Sequence, residues 1–519
     1  MRLVWAPEEQ AGFYGGDEEA NFHYPRFALD LALFRIYDED GEPVETPHYM
    51  PVSPYGSGEG DLLFIVGNPG STKRHFSAAE LLFEREVSVP TMIQILEDRE
   101  AAMMAFLQTG EEGLRLGSSE LFSIQNSLKV YRGMIKNFRE NEVIEKKTAW
   151  EAQMRERLRV LGKEKDWDQS MVELESAQKA HTRLYDKTFS TGSLGVNSLF
   201  LTHAMDIVAM AAELKKDPLD RSSRYRESNR PSLDMSLNSS QPIYSALEEV
   251  KLRQSLSWLL KRLGQDHLTI EAVLRGKSVE MRAKELSESE VLRDPKKRKE
   301  LFDAVESGQL KIEAIKEPWI QLAIQLRYLS EQLEEELINE VSGPLAKAFS
   351  KILELRKAAG DIVYPDATMS PRLTYGVVKP YVDHGMMLPS YTTIGQAFDQ
   401  AAARDNSGSW QMPESWMNAK ARGSIDLATP YNFVSTHDTI GGNSGSPVIK
   451  IVNGKPVWVG AIFDGNRFAS GQVTHSEPNA KVGRSVNVDC RALLAVLPGV
   501  YSAGYFFDEI QEAFKEAMK

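Results

Sequence analysis

The chain reads as an α+β multidomain protein, with strand-forming sequence at both ends and a long helical block between them. Three changes of texture predict this. Residues 1–75 hold short apolar runs bounded by turn residues. From 76 to 362, Glu, Lys, Leu, Ala and Gln dominate, and apolar residues recur at helical spacing. From 363 to 519 alternating runs return. A length of 519 residues allows two or three domains, each with its own core.

In the first segment, Asp30 to Tyr37 and Asp61 to Gly67 are predicted strands, and Gly67 to Thr72 is a turn cluster. In the second, Leu333 to Ile338 and Ile352 to Arg356 carry helical spacing. Ser245 and Glu248 stand three residues apart, the spacing of a capping box at a helix start. The polar run from Pro218 to Pro242 is expected to be a surface loop, and the charge-rich helical faces to be solvated. In the third, Arg372 to Val378, Pro456 to Phe463 and Arg484 to Asp489 alternate as strands, and Asp508 to Lys519 reads as an amphipathic terminal helix. A helical block set inside a β fold suggests a lid or clamp over a site on the β scaffold.

Composition narrows the function classes. The net charge of −13 and the lack of a long basic run argue against nucleic acid. No stretch reaches the ~18 consecutive apolar residues of a membrane span; Leu194 to Leu214 is interrupted by Asn197, His203, Asp206 and Glu213. The single cysteine, Cys490, excludes an intramolecular disulfide and a cysteine-based zinc cluster. The nine histidines are scattered, so no metal site and no cofactor are expected. The first residues show no apolar signal core with a cleavage site.

The chemistry concentrates at Thr439 to Val448, where Gly442, Ser444, Gly445 and Pro447 form Gly-x-Ser-Gly-x-Pro between β-type runs. This is the spacing around the nucleophile of chymotrypsin-like serine peptidases. A nucleophilic serine must project from a tight turn, and backbone N–H groups must point at the same spot to hold an oxyanion. Gly442, with no Cβ, can aim its amide there. The alternative is a Gly/Ser-rich hairpin loop. A serine nucleophile also needs a base, and the base needs an orienting carboxylate. Asp30, at the mouth of an apolar run, is the candidate carboxylate; otherwise it is a turn residue at a strand start. Before Asp30 the only histidine is His23, too close in sequence to supply an independent loop. His437 is expected on the strand leading to the nucleophile, pointing elsewhere. His203 is expected to be a packed helix residue.

Taken together, these residues resemble the bacterial dipeptidyl-peptidase 7/11 family of serine peptidases. The matching stretches are Arg2 to Glu9, Gly15-Gly16-Asp17, Asn21 to Arg26, Leu29 to Tyr37, Gly67 to Thr72, Tyr364 to Thr368, Ser435 to Val448 and Phe463 to Asn466. The resemblance implies chymotrypsin-like β-barrel portions flanking a large all-α insertion. It implies a serine-type dipeptidyl aminopeptidase that releases dipeptides from the free N-terminus of peptides through an acyl-enzyme. Ser444 matches the nucleophile and Asp30 the triad acid, with Gly442 and Ser444 as oxyanion-hole amides. Asp464 matches the carboxylate that captures the substrate amine, with Asn21 and Asn126 as acceptors and Phe22 as a pocket wall where many members have Trp. Gly465 stands where acidic-specific members have Arg, which implies an apolar or broad preference at the penultimate substrate residue. Peptide substrates, a homodimer and a periplasmic or cell-surface location are further implications.

The departure is at the front. The family's catalytic histidine precedes its triad acid by a longer segment, and no matching histidine stands here. The expectation is therefore a truncated chain: 1–75 a remnant of the first barrel, 76–362 the helical lid and 363–519 the second barrel, with little or no activity. The alternative is a degenerate peptidase that binds peptide N-termini without cleaving them.

Overall fold

The computed structural model describes residues 1–16, 20–140, 142–192, 194–361, 364–474 and 483–519. Asp17 of the matched Gly-Gly-Asp stretch, and residues 362–363 at the expected domain boundary, lie outside them. The chain divides into two compact units. One comprises Met1–Phe76, Gly133–Val143 and Tyr364–Lys519; the other comprises Ser77–Arg132 and Ile144–Val363.

The first unit is built on eleven strands among the described residues: β1 Arg2–Trp5, β2 Leu33–Arg35, β3 Leu62–Gly67, β4 Arg372–Val377, β5 Tyr381–Asp383, β6 Met386–Leu388, β7 Tyr391–Thr393, β8 Pro430–Ser435, β9 Pro447–Val452, β10 Lys455–Gly465 and β11 Ser485–Asp489. Seven form one sheet in the order β4-β3-β9-β10-β11-β8-β7; β1 pairs with β2, and β5 with β6. All these pairings are antiparallel. Just beyond β4, Val378 bridges Ser435 at the end of β8, and the Thr436 N–H donates to the Val377 carbonyl at 3.0 Å. The strands β4-β3-β9-β10-β11-β8 thus curl into a ring. Alternation fills it: Leu63 and Ile65 of β3 point inward with Val448, Val457, Val459, Phe433 and Cys490, while Leu62 and Val66 face outward. The Cys490 thiol is fully buried and donates to the Ser53 carbonyl at 3.0 Å.

Two expectations are corrected here. β3 pairs with both β4 and β9, so it belongs to the sheet that carries the serine turn and not to a separate remnant over 1–75. The strand expected over Asp30 to Tyr37 shortens to Leu33–Arg35, because only that stretch finds a ladder partner, in β1. Asp30 lies in the irregular chain before it. A second core lies beside the ring, where Trp5, Phe27 and Leu29 meet Ile394, Phe398, Trp416, Tyr431, Leu493 and Leu497. Side chains cap two of its helices. Thr393 and Gln396 form a capping box for Ile394–Ala402, and the Asp489 carboxylate caps Cys490–Gly499 at the Arg491 N–H. The terminal helix runs Gly504–Ala517, starting four residues earlier than its periodicity suggests.

The second unit is helical. Its main core joins Phe200, Leu201, Ala204 and Ile207 on helix Leu199–Glu213 to Leu252, Leu256 and Leu259 on Ser245–Leu263. Trp319, Leu322 and Leu326 on Pro318–Leu337 complete it. His203 is buried in this core, as expected for a packed residue. The Ser245–Glu248 capping box is not formed. Ser245 is itself the first helical residue, and its hydroxyl accepts from Arg293. Glu248 is buried and serves the start of a different helix, accepting from the Ser198 hydroxyl at 2.5 Å and the Leu199 N–H at 3.2 Å, with Lys251 Nζ at 2.9 Å. The polar run expected to be a loop over Pro218 to Pro242 contains helix Arg230–Leu237, because Leu233 and Leu237 find the core. Among the described residues no helix is long and apolar enough to cross a membrane.

Candidate active site

The serine turn connects β8 to β9, and hydrogen bonding inside it is selective. The Asn443 N–H donates to the Ile440 carbonyl, Ser446 N–H to Asn443, and Gly445 N–H to Ile462 of β10 at 2.7 Å. The buried Asn443 side chain braces the turn by accepting from the Ile440 N–H at 3.1 Å. Among the described residues, the Gly442 and Ser444 N–H groups donate to no backbone carbonyl or side chain. Two such amides on one turn are what an oxyanion hole requires. Gly442 has φ +102°, and a Cβ there would stand 2.5 Å from the Asn68 carbonyl oxygen and 2.7 Å from the Gly70 nitrogen. Only glycine fits this turn against the Gly67 to Thr72 cluster.

Ser444 is exposed, and its hydroxyl faces the Phe463 carbonyl of β10 at 3.5 Å. A bulge between Ile462 and Asp464 in the pairing of β10 with β11 falls at this point. The residue after Phe463 is Asp464, whose side chain is only 5% exposed. Its Oδ1 accepts from the Gly465 N–H at 2.7 Å, and its Oδ2 from the Phe22 N–H at 2.9 Å. Phe22 has φ +57°, an uncommon conformation for a residue with a side chain, and it carries one of the amides that hold Asp464. Asn21 is buried beside it, and its carbonyl contacts His23 Nδ1 at 2.9 Å.

Arg26 completes this corner. Its guanidinium is 2% exposed, lies 3.4 Å from Asp464 Oδ2, and sits over the rings of Phe13 and Phe463, 5.8 and 5.5 Å from their centroids. Four residues on, Asp30 reaches solvent, yet the protein around it pushes its pKa above the usual carboxylate value, and the Arg26 charge pulls it back. Sequence reasoning did not single out Arg26. The signal was a lone cation entering the apolar run Phe27-Ala28-Leu29. It also missed the clamp behind the serine turn, where Arg74 holds Asp438 bidentately at 2.7 and 2.6 Å.

The structure thus gathers Ser444, Gly442, Phe22, Asn21, Asp464, Gly465, Arg26 and Asp30 in one unit. Asn126 belongs to the helical unit, half-buried on helix Glu111–Glu140. At Gly465 a Cβ would stand 2.6 Å from the Ala469 Cβ, so this position leaves no room for a side chain without a shift. His437 is fully buried, with Nδ1 2.8 Å from the Ser435 hydroxyl and Nε2 3.1 Å from the Leu63 carbonyl. Burial lowers its pKa to about 4, so it is a neutral core residue facing away from Ser444. No group of three or more metal-ligating side chains stands together among the described residues.

Comparison with known proteins gives the family and the fold. The Peptidase S46 family model matches residues 1–512, and the chain belongs to that family of peptidases. It is 26% identical to the Asp/Glu-specific dipeptidyl-peptidase of Shewanella putrefaciens, over 98% of this chain and 74% of that protein. It is 24% identical to dipeptidyl-peptidase 7 of Phocaeicola vulgatus, over 98% of this chain and 72% of that protein. The fold is similar to that of Porphyromonas endodontalis DPP11 in complex with the dipeptide Arg-Glu. That match has a TM-score of 0.71 and 20% identity, and it covers 98% of this chain and 74% of that one.

Proposed function

We propose that this chain carries the acyl-transfer and amine-recognition parts of a serine-type dipeptidyl aminopeptidase. The observation that carries this reading is the junction of the serine turn with β10. Ser444 stands beside the two undonated amides of Gly442 and Ser444, and its hydroxyl touches Phe463. The next residue, Asp464, presents a buried carboxylate suited to an ammonium group. An amine anchor one residue along the strand from the nucleophile's contact limits how much peptide fits between them, which favours release of a short N-terminal piece. Ser444 attacks the carbonyl of the second residue, the Gly442 and Ser444 amides hold the oxyanion, and Asp464 with Asn21 and Phe22 receives the amine. Asp30 takes the part of the triad acid. The six-strand ring with the nucleophile turn between β8 and β9 supports a chymotrypsin-like barrel. The location that goes with this reading is the periplasm or cell surface.

We assign no base among the histidines nearest in sequence: His23 Nδ1 contacts the Asn21 carbonyl, and His437 is buried on Ser435 and Leu63. Hydrolysis by this chain alone is therefore expected to be slow, with the oxyanion donors supplying a residual rate. The tight fit at Gly465 supports an apolar or broad preference at the penultimate substrate residue.

The test uses dipeptidyl-coumarin substrates with free and acetylated amines, with and without added imidazole, on wild type and Ser444→Ala. Cleavage confined to free-amine substrates, stimulated by imidazole and lost in S444A, is the expected result. Equal cleavage of acetylated substrates, or a rate surviving S444A, overturns the reading. Binding of free-amine peptides with no turnover under any condition leaves a non-catalytic peptide receptor. Acidic substrates outrunning apolar ones would refute the Gly465 assignment.

A further inference from the structure

Arg26 is buried beside the carboxylate of Asp464, four residues before Asp30 in the chain. A site built to capture an ammonium group gains nothing electrostatically from a cation beside its carboxylate, because like charges repel. The guanidinium is nevertheless fixed there, with two aromatic rings around it and Asp464 Oδ2 at 3.4 Å. The neighbouring cations on this side are committed elsewhere. Arg467 bonds Asp383 at 2.5 Å, and Arg484 donates to the Lys379 and Pro380 carbonyls at 3.0 Å each.

The cost of an unpaired buried carboxylate explains the placement. A guanidinium 3.4 Å from Asp464 Oδ2 joins the Phe22 and Gly465 amides in favouring the charged carboxylate, the form that attracts an ammonium group. A planar guanidinium suits this task better than an ammonium. It spreads its charge, stacks on aromatic faces, and is weakly hydrated enough to stay buried.

We propose that Arg26 is a positioning residue of the site, a buried guanidinium that pairs with the amine anchor Asp464 and holds it as the charged carboxylate. It does not touch substrate. It sets the charge state in which Asp464 receives the substrate amine, at the expense of some direct repulsion. This rests on the amine-anchor reading of Asp464.

The test is calorimetric binding of a free-amine tripeptide and its acetylated twin to the full chain, so that turnover is not required. The variants are wild type, Arg26→Lys, Arg26→Gln and Asp464→Asn, each checked first for a cooperative thermal melt. Wild type that does not distinguish the two peptides refutes the amine-anchor reading itself. Given that discrimination, R26Q is expected to lose roughly tenfold or more in free-amine affinity, the scale of one charge-assisted interaction, and nothing for the acetylated peptide. R26K is expected to recover most of the loss, which a purely structural role of the arginine fork would not allow. R26Q binding as tightly as wild type, or more tightly, overturns the proposal, because Arg26 is then a bystander or a competitor. Should R26Q fail to fold, R26K decides alone. Affinity within about threefold of wild type supports charge-holding; complete loss of amine discrimination in a folded R26K overturns it.

Discussion

Gly442 shows how much one missing methyl group can decide. A Cβ at this position would run into the backbone of Asn68 and Gly70, neither of which is a flexible side-chain end. Gly442→Ala is expected to cost about 2 kcal/mol or more, since positive φ and a backbone clash add. It is also expected to slow acylation of Ser444 by roughly 10²–10³-fold through the displaced amide. Thermal melts and the rate of labelling by a fluorophosphonate check both, and an unchanged labelling rate would remove Gly442 from the oxyanion hole. His437 gives a second prediction at this scale. Its folded pKa of about 4 lies below the ordinary 6.5 because the ring is buried. Between those values the unfolded chain binds a proton that the folded chain refuses. Its contribution is therefore constant above about pH 6.5, falls as pH drops through the window, and levels off below about pH 4, for a total of about 3 kcal/mol. In urea titrations across that window, His437→Gln is expected to flatten the slope; a slope identical to wild type would mean the ring titrates normally in the fold.

Element boundaries followed partners more than local pattern. The apolar run after Asp30 has strand composition, yet it forms a strand only over Leu33–Arg35, where β1 supplies a ladder. Ser245 and Glu248 have capping-box spacing, but Glu248 binds Ser198 and Leu199, some fifty residues away, together with Lys251 on its own helix, and spacing cannot reveal the distant pair. That network yields a prediction. Replacing a buried carboxylate that holds both an ammonium and a helix N-terminus leaves Lys251 uncompensated. Glu248→Ala is expected to destabilise the helical unit by about 3–5 kcal/mol, the scale for breaking a buried ion pair. Glu248→Gln should recover the hydrogen bonds to Ser198 and Leu199 but not the charge. Chemical denaturation of the two variants checks the order; equal losses would show that the charge on Lys251, and not the hydrogen bonds, carries the effect.

Over the whole molecule, the two units have separate hydrophobic cores, one around Leu256 and Trp319, the others around Ile65 and Trp416. Calorimetry is expected to show a transition moved by E248A and another moved by H437Q, because multidomain chains depart from two-state behaviour. A single transition shifted by both would contradict this. The succession of β, α and β textures was legible in the sequence because periodicity reports burial on one face. The Ser444 turn was legible because glycine and serine at fixed offsets have few other uses. What could not be read was long-range pairing: β3 entering the sheet between β4 and β9, and Arg26 meeting Asp464 across 438 positions. Such contacts depend on topology, and a buried cation gives its partner no sequence offset.

The single thiol adds one consequence. Cys490 has no solvent exposure, and burial holds its pKa well above the ordinary thiol value, so neither reagent access nor thiolate is available in the closed ring. A disulfide reagent in the buffer then becomes a clock. Where the rate no longer rises with reagent concentration, each modification event counts one opening of the sheet around Cys490, and mass alone then reads the frequency of that opening without denaturant or substrate.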